Sequence, residues 1–308
     1  MSQSESYQVI IIGGGPAGLT AGIYATRAGL KALLLEKIVP GGQIVNSEWV
    51  ENYPGFPEGV SGFELGQLME RQAIRHGLKI ESAEVTGIEL GGKKKVKTTI
   101  GDFMADAVII AGGADHAKLG IAGEESWIGK GLSYCATCDG PFFRGKSVAV
   151  IGGGAVAITD ALFLSRLASK VSVIHRRNQL RASKVLQDRA LSQPGIEFIW
   201  DTVVEAIEGS ETIERLRLRN VKTGATGELP VEGVFVAVGT RPNTGYLSTL
   251  LTLAPDGSIP VNPQMETEIP GIFAAGDIRQ GSIRQVVAAA GDGAVAAVSA
   301  ERFLSRLL

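Results

Sequence analysis

The chain has 308 residues, of which 41 are glycine, and its 30 basic and 32 acidic residues give a net charge of −2. At roughly 100–200 residues per domain, this length predicts two domains. The balanced charge excludes the electrostatic pattern of a nucleic-acid binder, and no apolar run reaches the roughly 18 residues that span a membrane. The cluster Lys93–Lys95 is predicted to be the solvated tip of a hairpin. The start of the sequence lacks the basic segment of a secretory signal, so we expect a cytoplasmic protein.

The first predicted element is a β-α-β unit built around a G-x-G-x-x-G motif. A short apolar run precedes the motif, and a helix is predicted from Leu19 to Ala28. In such a motif Gly13 permits the tight turn, Gly15 lets the backbone approach a pyrophosphate, and Gly18 lets the helix pack closely on the strand. Glu36 lies 23 residues after Gly13, where an acid binds the ribose hydroxyls of a nucleotide. The pattern predicts an FAD or NAD site.

The next element that carries chemistry is Cys135-Ala-Thr-Cys138, which holds the two cysteines of the chain. A structural zinc site needs four ligands, and the three histidines are scattered in the sequence, so we expect no metal. A disulfide framework needs more pairs and a secreted protein. The spacing is therefore typical of a redox-active dithiol, with two unrelated buried cysteines as the alternative.

A second glycine motif lies 139 residues after the first and repeats its pattern. Gly152 and Gly154 stand where the first two glycines of the motif stood, and Ala157 replaces the third. A helix from Ile158 to Leu167 and a further strand complete a second predicted β-α-β unit.

The second unit ends in a cationic cluster, where the first unit ends in Glu36. The cluster consists of His175, Arg176 and Arg177, with Arg181 about one helical turn further on. An acid at this place would repel a 2′-phosphate, whereas arginine offers a planar fork that fits one. The second unit is therefore predicted to bind NADPH, with a solvated charged face as the alternative.

The rest of the chain is predicted to return to the first unit. Apolar strands are expected over Phe103–Ile110 and Val234–Val238, and both lead out of a nucleotide-binding domain. A last strand over Gly271–Ala275, then a glycine and an acid, then a helix from Gln285 to Leu304 complete the first domain. We expect one domain made from both chain ends, with a second domain inserted into it.

With these motifs in place, the sequence resembles the low-molecular-weight thioredoxin reductases, a class II group of the pyridine nucleotide-disulfide oxidoreductases, over essentially its whole length. The most specific match is Cys135-Ala-Thr-Cys-Asp139-Gly, because other disulfide reductases carry their cysteines in the FAD domain. Further matching segments are Gly13–Gly18, Gly41-Gly42-Gln43, Glu51–Gly55, His175–Arg177 with Arg181, Gly276-Asp277 and Arg284-Gln285.

The resemblance implies an α/β fold with two Rossmann-like nucleotide-binding domains of the three-layer ββα type. The FAD domain would comprise residues 1–114 and 244–308, and the NADPH domain of residues 115–243 would be inserted into it. In the family the inserted domain rotates, because one dithiol must meet both the flavin and a protein disulfide. The hinges would lie near Gly113–Lys118 and Thr240–Tyr246.

The resemblance further implies a cytoplasmic homodimer in which electrons pass from NADPH to FAD, to the Cys135–Cys138 disulfide and then to thioredoxin. Asp139 would be the acid/base, since a thiolate must form and a leaving thiolate must gain a proton; a plain turn residue is the alternative. The implied FAD contacts are Gly13, Gly15, Pro16, Ala17, Gly18, Glu36, Gly42, Gln43, Asn52, Gly276, Asp277, Arg284 and Gln285. The implied NADPH contacts are Gly152, Gly154, Ala157, His175, Arg176, Arg177 and Arg181.

The sequence departs from the family pattern around the second glycine motif. Ala155, Val156 and Thr159 stand where relatives commonly carry polar or acidic side chains, so a hydroxyl and an acid near the pyridine nucleotide are lost. This leaves open a relative that takes electrons from ferredoxin or another donor, or a dithiol oxidase. A flavin-binding redox sensor without turnover would lack a cysteine or the acid of the CxxCD motif, and this chain has all three.

Overall fold

A computed structural model describes residues 6–47 and 49–307 of the chain. The chain divides into two compact units, one made of Met1–Asp115 with Arg241–Leu308 and the other of His116–Thr240. The division lies within three residues of the predicted domain boundaries. The first five residues, on which the prediction about a secretory signal depends, lie outside the described residues.

The first unit combines a mixed sheet with three long helices. Its strands are β1 (Ser6–Ile12), β2 (Ala32–Glu36), β3 (Lys79–Ser82), β4 (Val85–Glu89), β5 (Lys94–Thr98), β6 (Gly101–Ile110) and β17 (Ile272–Ala274). Its helices are α1 (Pro16–Arg27), α2 (Gly62–Arg75) and α6 (Val286–Ser305), with short 3-10 turns at Gly42–Asn46, Gly245–Leu247 and Gly276–Ile278.

The sheet of this unit runs in the order β3-β2-β1-β6-β5-β4, and β17 pairs with β6. Strands β3, β2, β1, β6 and β17 are mutually parallel, whereas β4 and β5 join in antiparallel fashion. Strand β1 is apolar on both faces: Val9 and Ile11 face the core with α1, α2 and α6, and Ile10 and Ile12 face a second core on the other side. Such a strand is typical of a parallel sheet that is covered on both sides.

The second unit repeats this plan on a smaller scale. Its strands are β8 (Leu132–Ser133), β9 (Ser147–Ile151), β10 (Lys170–Ile174), β11 (Ile196–Ile199), β12 (Thr202–Gly209), β13 (Ile213–Asn220), β14 (Thr226–Pro230) and β15 (Gly233–Val236). Its helices are α3 (Ala136–Asp139), α4 (Ala155–Leu164) and α5 (Lys184–Leu191), with 3-10 turns at Glu124–Trp127 and Gly140–Phe143.

Three layers form the second unit. A parallel sheet in the order β11-β10-β9-β15-β8 lies between the helices and an antiparallel sheet in the order β12-β13-β14. Alternate residues of β9 separate the two interfaces, because Val148 and Val150 pack with the helices whereas Ala149 and Ile151 pack with the antiparallel sheet. Strand β9 is thus packed on both faces, and the second glycine motif begins at its carboxyl end.

The two chain crossings between the units pair with each other. Strands β7 (Ala114–His116) and β16 (Thr240–Pro242) form a two-stranded sheet. The backbone N–H of Asn243 donates to the carbonyl of Gly113 at 3.0 Å, and its side-chain Nδ2 donates to the carbonyl of Gly112 at 3.0 Å. The predicted hinge segments are therefore a paired ribbon.

Two local predictions need correction. Helices α1 and α4 each begin three residues earlier than predicted, directly after Gly15 and Gly154, so their first turns lie at the glycine motifs. The interpretation of the lysine cluster as a solvated tip is wrong for Lys94, which is 9% exposed and donates from Nζ to the carbonyl of Asp106 at 2.9 Å. Over the described ranges, no helix is long and apolar enough to cross a membrane.

Candidate functional site

The first glycine loop connects β1 to α1, and close backbone contacts require its glycines. Gly13 has a φ of +104°, and a Cβ there would overlap the carbonyl oxygen of Ala111. A Cβ at Gly18 would overlap the carbonyl oxygen of Gly13 itself. The helix therefore packs against the turn more closely than any side chain at Gly18 would allow.

Glu36 supports this loop from the end of β2. Its Oε2 accepts a hydrogen bond from the backbone N–H of Gly14 at 2.7 Å, and its Oε1 accepts one from Ile38 at 2.9 Å. A carboxylate offers about four lone-pair sites, so both oxygens keep acceptor capacity for ribose hydroxyls. The predicted nucleotide contact of Glu36 is compatible with its support of the loop.

Both glycine loops leave a helix N-terminus open to an anion. Gly15 and Gly154 are the N-caps of α1 and α4, and no side chain among the described residues caps either helix. A Cβ at Gly154 would meet nothing within 4 Å, and one at Gly15 would meet only the Cα of Gly42 at 3.8 Å. Free N–H groups, the positive end of the helix dipole and open space together fit the pyrophosphate of a dinucleotide.

The second loop repeats the geometry of the first with one different support. A Cβ at Gly152 would overlap the carbonyl oxygen of Ala237, as one at Gly13 would overlap the corresponding oxygen of the first unit. In place of Glu36, the ring of His175 lies under the loop, so that a Cβ at Gly153 would overlap three ring atoms. His175 is 5% exposed, and its Nε2 lies 3.1 Å from the carbonyl oxygen of Gln179.

The cationic cluster divides into a buried and an exposed part. Burial lowers the pKa of His175, and the neighbouring arginines lower it further, so the neutral ring is favoured near pH 7. Arg176, Arg177 and Arg181 are exposed. The backbone N–H of Arg181 donates to the carbonyl of Gly153 at 2.7 Å, which ties this arginine to the loop. The positive charge available to a 2′-phosphate therefore comes from the arginines.

Two of the amide side chains predicted for the flavin side, Gln43 and Asn52, each donate a hydrogen bond within the first unit. Gln43 Nε2 donates to Asp115 Oδ1 at 2.8 Å, and Asn52 Nδ2 donates to Gln285 Oε1 at 3.1 Å. The preceding Gly42 has a φ of +63°, and a Cβ there would lie 2.9 Å from the Cα of Gly15. The Gly42 turn thus packs directly on the first glycine loop.

A chain of hydrogen bonds joins Asp277 to Arg284. Ser282 Oγ donates to Asp277 Oδ1 at 2.9 Å and accepts from the backbone N–H of Arg284 at 3.1 Å. Arg284 has a φ of +54°, which is unusual for a side chain of this size. Its Nε is buried and has no hydrogen-bond partner among the described residues. A buried donor of this kind fits an acceptor of a bound group, as predicted for the flavin ring.

The Gly276-Asp277 turn is held from behind by a buried ion pair. Asp292 on α6 accepts from Arg279 Nε at 2.6 Å and from Arg279 Nη2 at 3.0 Å, and its Oδ2 also accepts from the backbone N–H of Gly276 at 3.2 Å. The side chains of Arg279 and Asp292 are 19% and 10% exposed. A bidentate pair at this burial fixes the turn that carries Asp277.

The two cysteines form a disulfide across the short helix α3. The Cα atoms of Cys135 and Cys138 are 5.3 Å apart. Cys135 is the N-cap of α3, and its Sγ accepts from the backbone N–H of Cys138 at 3.2 Å. Backbone N–H groups at a helix N-terminus stabilise a thiolate, so this position favours the reactive form of Cys135 once the pair is reduced.

Asp139 lies beside the disulfide and is bound to a buried serine. Ser133 Oγ lies 2.5 Å from Asp139 Oδ2 and 3.0 Å from the backbone N of Cys135. Ser133 is 4% exposed, whereas Cys135, Cys138 and Asp139 are half-buried. The predicted catalytic residues are thus gathered in one turn of the second unit.

Sequence reasoning missed several residues that hold these groups in place. Among them are Gly153, Ser133, Asp115, Ser282, Arg279 and Asp292. The signal for Gly153 was present, because three glycines in a row exceed what the motif requires. The two serines and Asp292 had no such signal, since a single serine or a helical acid is common on any surface.

Comparison with known proteins agrees with this site. A profile of the pyridine nucleotide-disulphide oxidoreductases matches residues 7–293. A thioredoxin reductase of Streptomyces coelicolor is 46% identical over 308 residues, with 99% of this chain and 96% of the relative covered. One of Bacillus subtilis is 43% identical over 310 residues, with 100% and 98% covered. The crystal structure of a thioredoxin reductase from Streptococcus pyogenes superposes with a TM-score of 0.93 at 42% identity, covering 99% of this chain and 100% of that chain.

The chain belongs to the pyridine nucleotide-disulphide oxidoreductase family. The predicted α/β fold with two Rossmann-like domains is confirmed, and so is the resemblance to low-molecular-weight thioredoxin reductases. The prediction of a flavoprotein oxidoreductase with FAD and NADPH as cofactors is confirmed as well. The contacts of individual residues with either cofactor stay predictions.

Proposed function

We propose that this chain is an NADPH-dependent thioredoxin-disulfide reductase, in which electrons pass through FAD to the Cys135–Cys138 disulfide and then to thioredoxin or a thioredoxin-like protein. This proposal rests mainly on one observation: the Cys135–Cys138 disulfide lies at the N-terminus of α3, and Asp139 lies in the same turn. The names of the similar proteins support the same activity. We assign the first unit to FAD and the second to NADPH, because of their glycine loops and the exposed arginines of the second unit.

The chemistry of the chain itself begins at the cysteine pair. When bound, FAD takes up the electron pair of NADPH and releases it to a disulfide. The reduced pair then carries two electrons and two protons more than the disulfide. One thiolate attacks a sulfur of the partner disulfide, and the other cysteine displaces the partner from the mixed disulfide, so that the partner leaves as a dithiol. Asp139 would take and return the proton at the cysteine sulfur.

The electron donor is assigned from the exposed arginines. Arg176 and Arg177 follow the end of β10, and Arg181 is bonded through its backbone N–H to the carbonyl of Gly153. All three are exposed and carry the permanent charge that a 2′-phosphate requires. Ala155 and Val156 are exposed and apolar where relatives commonly carry polar side chains. This difference affects the side chains alone, and the backbone N–H groups at the N-terminus of α4 are kept. Ferredoxin or another donor, and the dithiol oxidase reaction, are therefore not favoured.

We infer that the enzyme is a homodimer, that it is cytoplasmic, and that its inserted unit rotates during turnover. The first two rest on the resemblance to the family. The third follows from the need of one dithiol to meet two reaction partners.

Anaerobic mixing with NADPH tests the proposal. NADPH should bleach the flavin absorption of the purified protein within the turnover time, and Cys138→Ser should keep this bleaching but lose the reduction of thioredoxin. Ser172→Ala, a buried serine substitution elsewhere in the second unit, serves as the control and should keep both activities. A flavin that dithionite bleaches and NADPH does not would contradict the assigned donor. Full thioredoxin reduction by Cys138→Ser would contradict the role of the dithiol.

A further inference from the structure

Ser133 occupies an unusual place next to the reactive turn. It ends the two-residue strand β8, where it pairs with Phe235 of β15, and it is 4% exposed. Its hydroxyl has three polar atoms within hydrogen-bonding distance: Asp139 Oδ2 at 2.5 Å, the backbone N of Cys135 at 3.0 Å and the backbone O of Cys135 at 3.3 Å. A buried serine thus touches both the acid and the backbone of the first cysteine.

The roles of these contacts follow from the atoms involved. A serine hydroxyl has one hydrogen to donate and two lone pairs to accept with. The N–H of Cys135 can only donate, so it uses one lone pair. Of the two acceptors, Asp139 Oδ2 is nearer than the carbonyl of Cys135, and an ionised carboxylate attracts a hydrogen more strongly than a carbonyl. The hydrogen of Ser133 therefore points to the ionised Asp139, and one lone pair remains unused.

We propose that Ser133 is a positioning residue for Asp139. The hydroxyl of Ser133 keeps a hydrogen bond to the Asp139 carboxyl whether that carboxyl is ionised or protonated. The inference rests on the proposed function, because it takes Asp139 as the acid/base. When Asp139 gains a proton, its own O–H donates to the free lone pair of Ser133. The hydrogen of Ser133 then turns to the carbonyl of Cys135. Ser133 gains and loses no proton in this exchange.

The benefit lies in the burial of Ser133, which is 4% exposed beside the half-buried Asp139. A buried polar group that loses its partner is costly, so an acid with a fixed donor would strongly favour its ionised form. A hydroxyl that both donates and accepts lessens this bias without abolishing it, so Asp139 can give up and regain a proton while its hydrogen bond to Ser133 is kept. Asp139 is also kept in one place beside Cys138 throughout the cycle.

Other charged groups near this turn have to be separated from the titration of Asp139. Helix α4, which packs on α3, carries Asp160, and burial raises the pKa of this carboxyl to about 6. The residue before Cys135 is Tyr134, whose hydroxyl donates to Glu124 Oε1 at 2.8 Å. An Asp160→Asn variant removes this second titration and leaves the Ser133 contacts in place.

The variants Ser133→Ala and Ser133→Thr test the inference, with Asp139→Asn as the reference. The kcat for thioredoxin reduction is measured from pH 5.5 to 9.5 in the holoenzyme and in its Asp160→Asn background. The inflection that Asp139→Asn removes belongs to Asp139. In Ser133→Ala this inflection should move up by on the order of one pH unit, because the ionised carboxyl loses a stronger hydrogen bond than the protonated one does. The kcat near pH 7.5 should fall about tenfold.

Ser133→Thr keeps the hydroxyl and should retain the parent inflection, which also keeps the test usable if Ser133→Ala folds poorly. Flavin reduction by NADPH should stay within about twofold of the parent in all Ser133 variants, since it precedes proton transfer at the cysteines. The matched control is Ser172→Ala, because Ser172 is 2% exposed and donates to Glu197 Oε1 at 2.7 Å in the same unit. A loss of kcat that came only from removing a buried serine would appear in Ser172→Ala as well. Such a loss would leave the inflection of the pH profile at the parent pH.

The outcomes separate the two claims. An inflection at the parent pH in Ser133→Ala, combined with impaired Asp139→Asn, would overturn the role of Ser133 alone. Parent activity in Asp139→Asn would instead contradict the proposed function of Asp139. A Ser133→Thr variant with the same shift as Ser133→Ala would also overturn the inference, because the hydroxyl would then be irrelevant.

Discussion

Two neighbouring glycines of the second loop should respond in opposite ways to the same substitution. In Gly153→Ala the new Cβ would overlap three ring atoms of His175. That ring is 5% exposed and is held by its contact with the carbonyl of Gln179 at 3.1 Å, so it has little room to move. Overpacking of this kind costs about 1–3 kcal/mol, and the number of overlapping atoms places Gly153→Ala near 3 kcal/mol.

Gly154→Ala should leave the free energy of unfolding nearly unchanged. Gly154 has an ordinary extended backbone, with φ −89° and ψ 179°, and its Cβ would meet nothing within 4 Å. Alanine at such a position is neutral or stabilising by up to about 1 kcal/mol. The same methyl group would, however, stand in the space through which the pyrophosphate approaches the N-terminus of α4. The Kd for NADPH should therefore rise about tenfold or more, which corresponds to about 1.4 kcal/mol.

Urea unfolding and NADPH titration of the two variants measure the two effects separately. The double variant Gly153→Ala/His175→Ala adds a direct check, since removal of the ring should recover part of the loss and give a coupling energy of at least about 1 kcal/mol. A Gly153→Ala protein as stable as the parent would refute the support of the loop by His175. Equal NADPH affinity in Gly154→Ala and the parent would refute the predicted path of the pyrophosphate.

Three further predictions address charge. Arg177→Ala should raise the KM for NADPH about tenfold and leave that for NADH unchanged, and equal losses with both coenzymes would speak against a 2′-phosphate contact. Asp292→Ala should lower the free energy of unfolding by about 2–4 kcal/mol and speed FAD release during ultrafiltration, because it leaves the Arg279 charge without its partner. The control is Asp188→Ala, which removes an exposed ion pair and should change stability by less than about 0.5 kcal/mol. Burial lowers the pKa of Lys94 in the folded protein below its ordinary value of 10.5. Between the lowered pKa and 10.5, the unfolded chain therefore binds more protons than the folded one. Stability should consequently rise with pH over this interval. Lys94→Met should flatten this rise in urea unfolding curves recorded at several pH values.

Repeated local patterns made most of the fold predictable. Both glycine motifs follow apolar strands, and the spacing between them exposed the repeat of 139 residues from which the inserted unit was inferred. The helix starts were placed too late because the pattern assigned each helix to the residues after the motif. In the structure, Pro16 opens α1, as proline commonly does at a first helical position.

Long-range contacts account for what the sequence alone did not reveal. Lys94 belongs to a run of three lysines, and only the packing of Phe303 and the carbonyl of Asp106 shows that it is buried. Asp292 lies in an alanine-rich helix and meets Gly276 sixteen residues away. Ser133 precedes the first cysteine by two residues, yet its bond to Asp139 depends on how α3 turns back toward β8. Such pairings depend on three-dimensional geometry, for which composition and periodicity carry no signal.

The support beneath each glycine loop bears on how two coenzyme preferences arise within one repeated architecture. Glu36 holds the first loop through the N–H of Gly14, whereas His175 holds the second through the face of its ring under Gly153. The same turn thus tolerates either a carboxylate or an imidazole packed beneath it. Exchange of this one residue therefore removes the negative charge beside the nucleotide without rebuilding the loop, and the exposed arginines supply the positive charge separately. A redesign of the coenzyme preference of this enzyme should therefore keep His175 packed beneath the second loop and change the charge of the exposed residues around it.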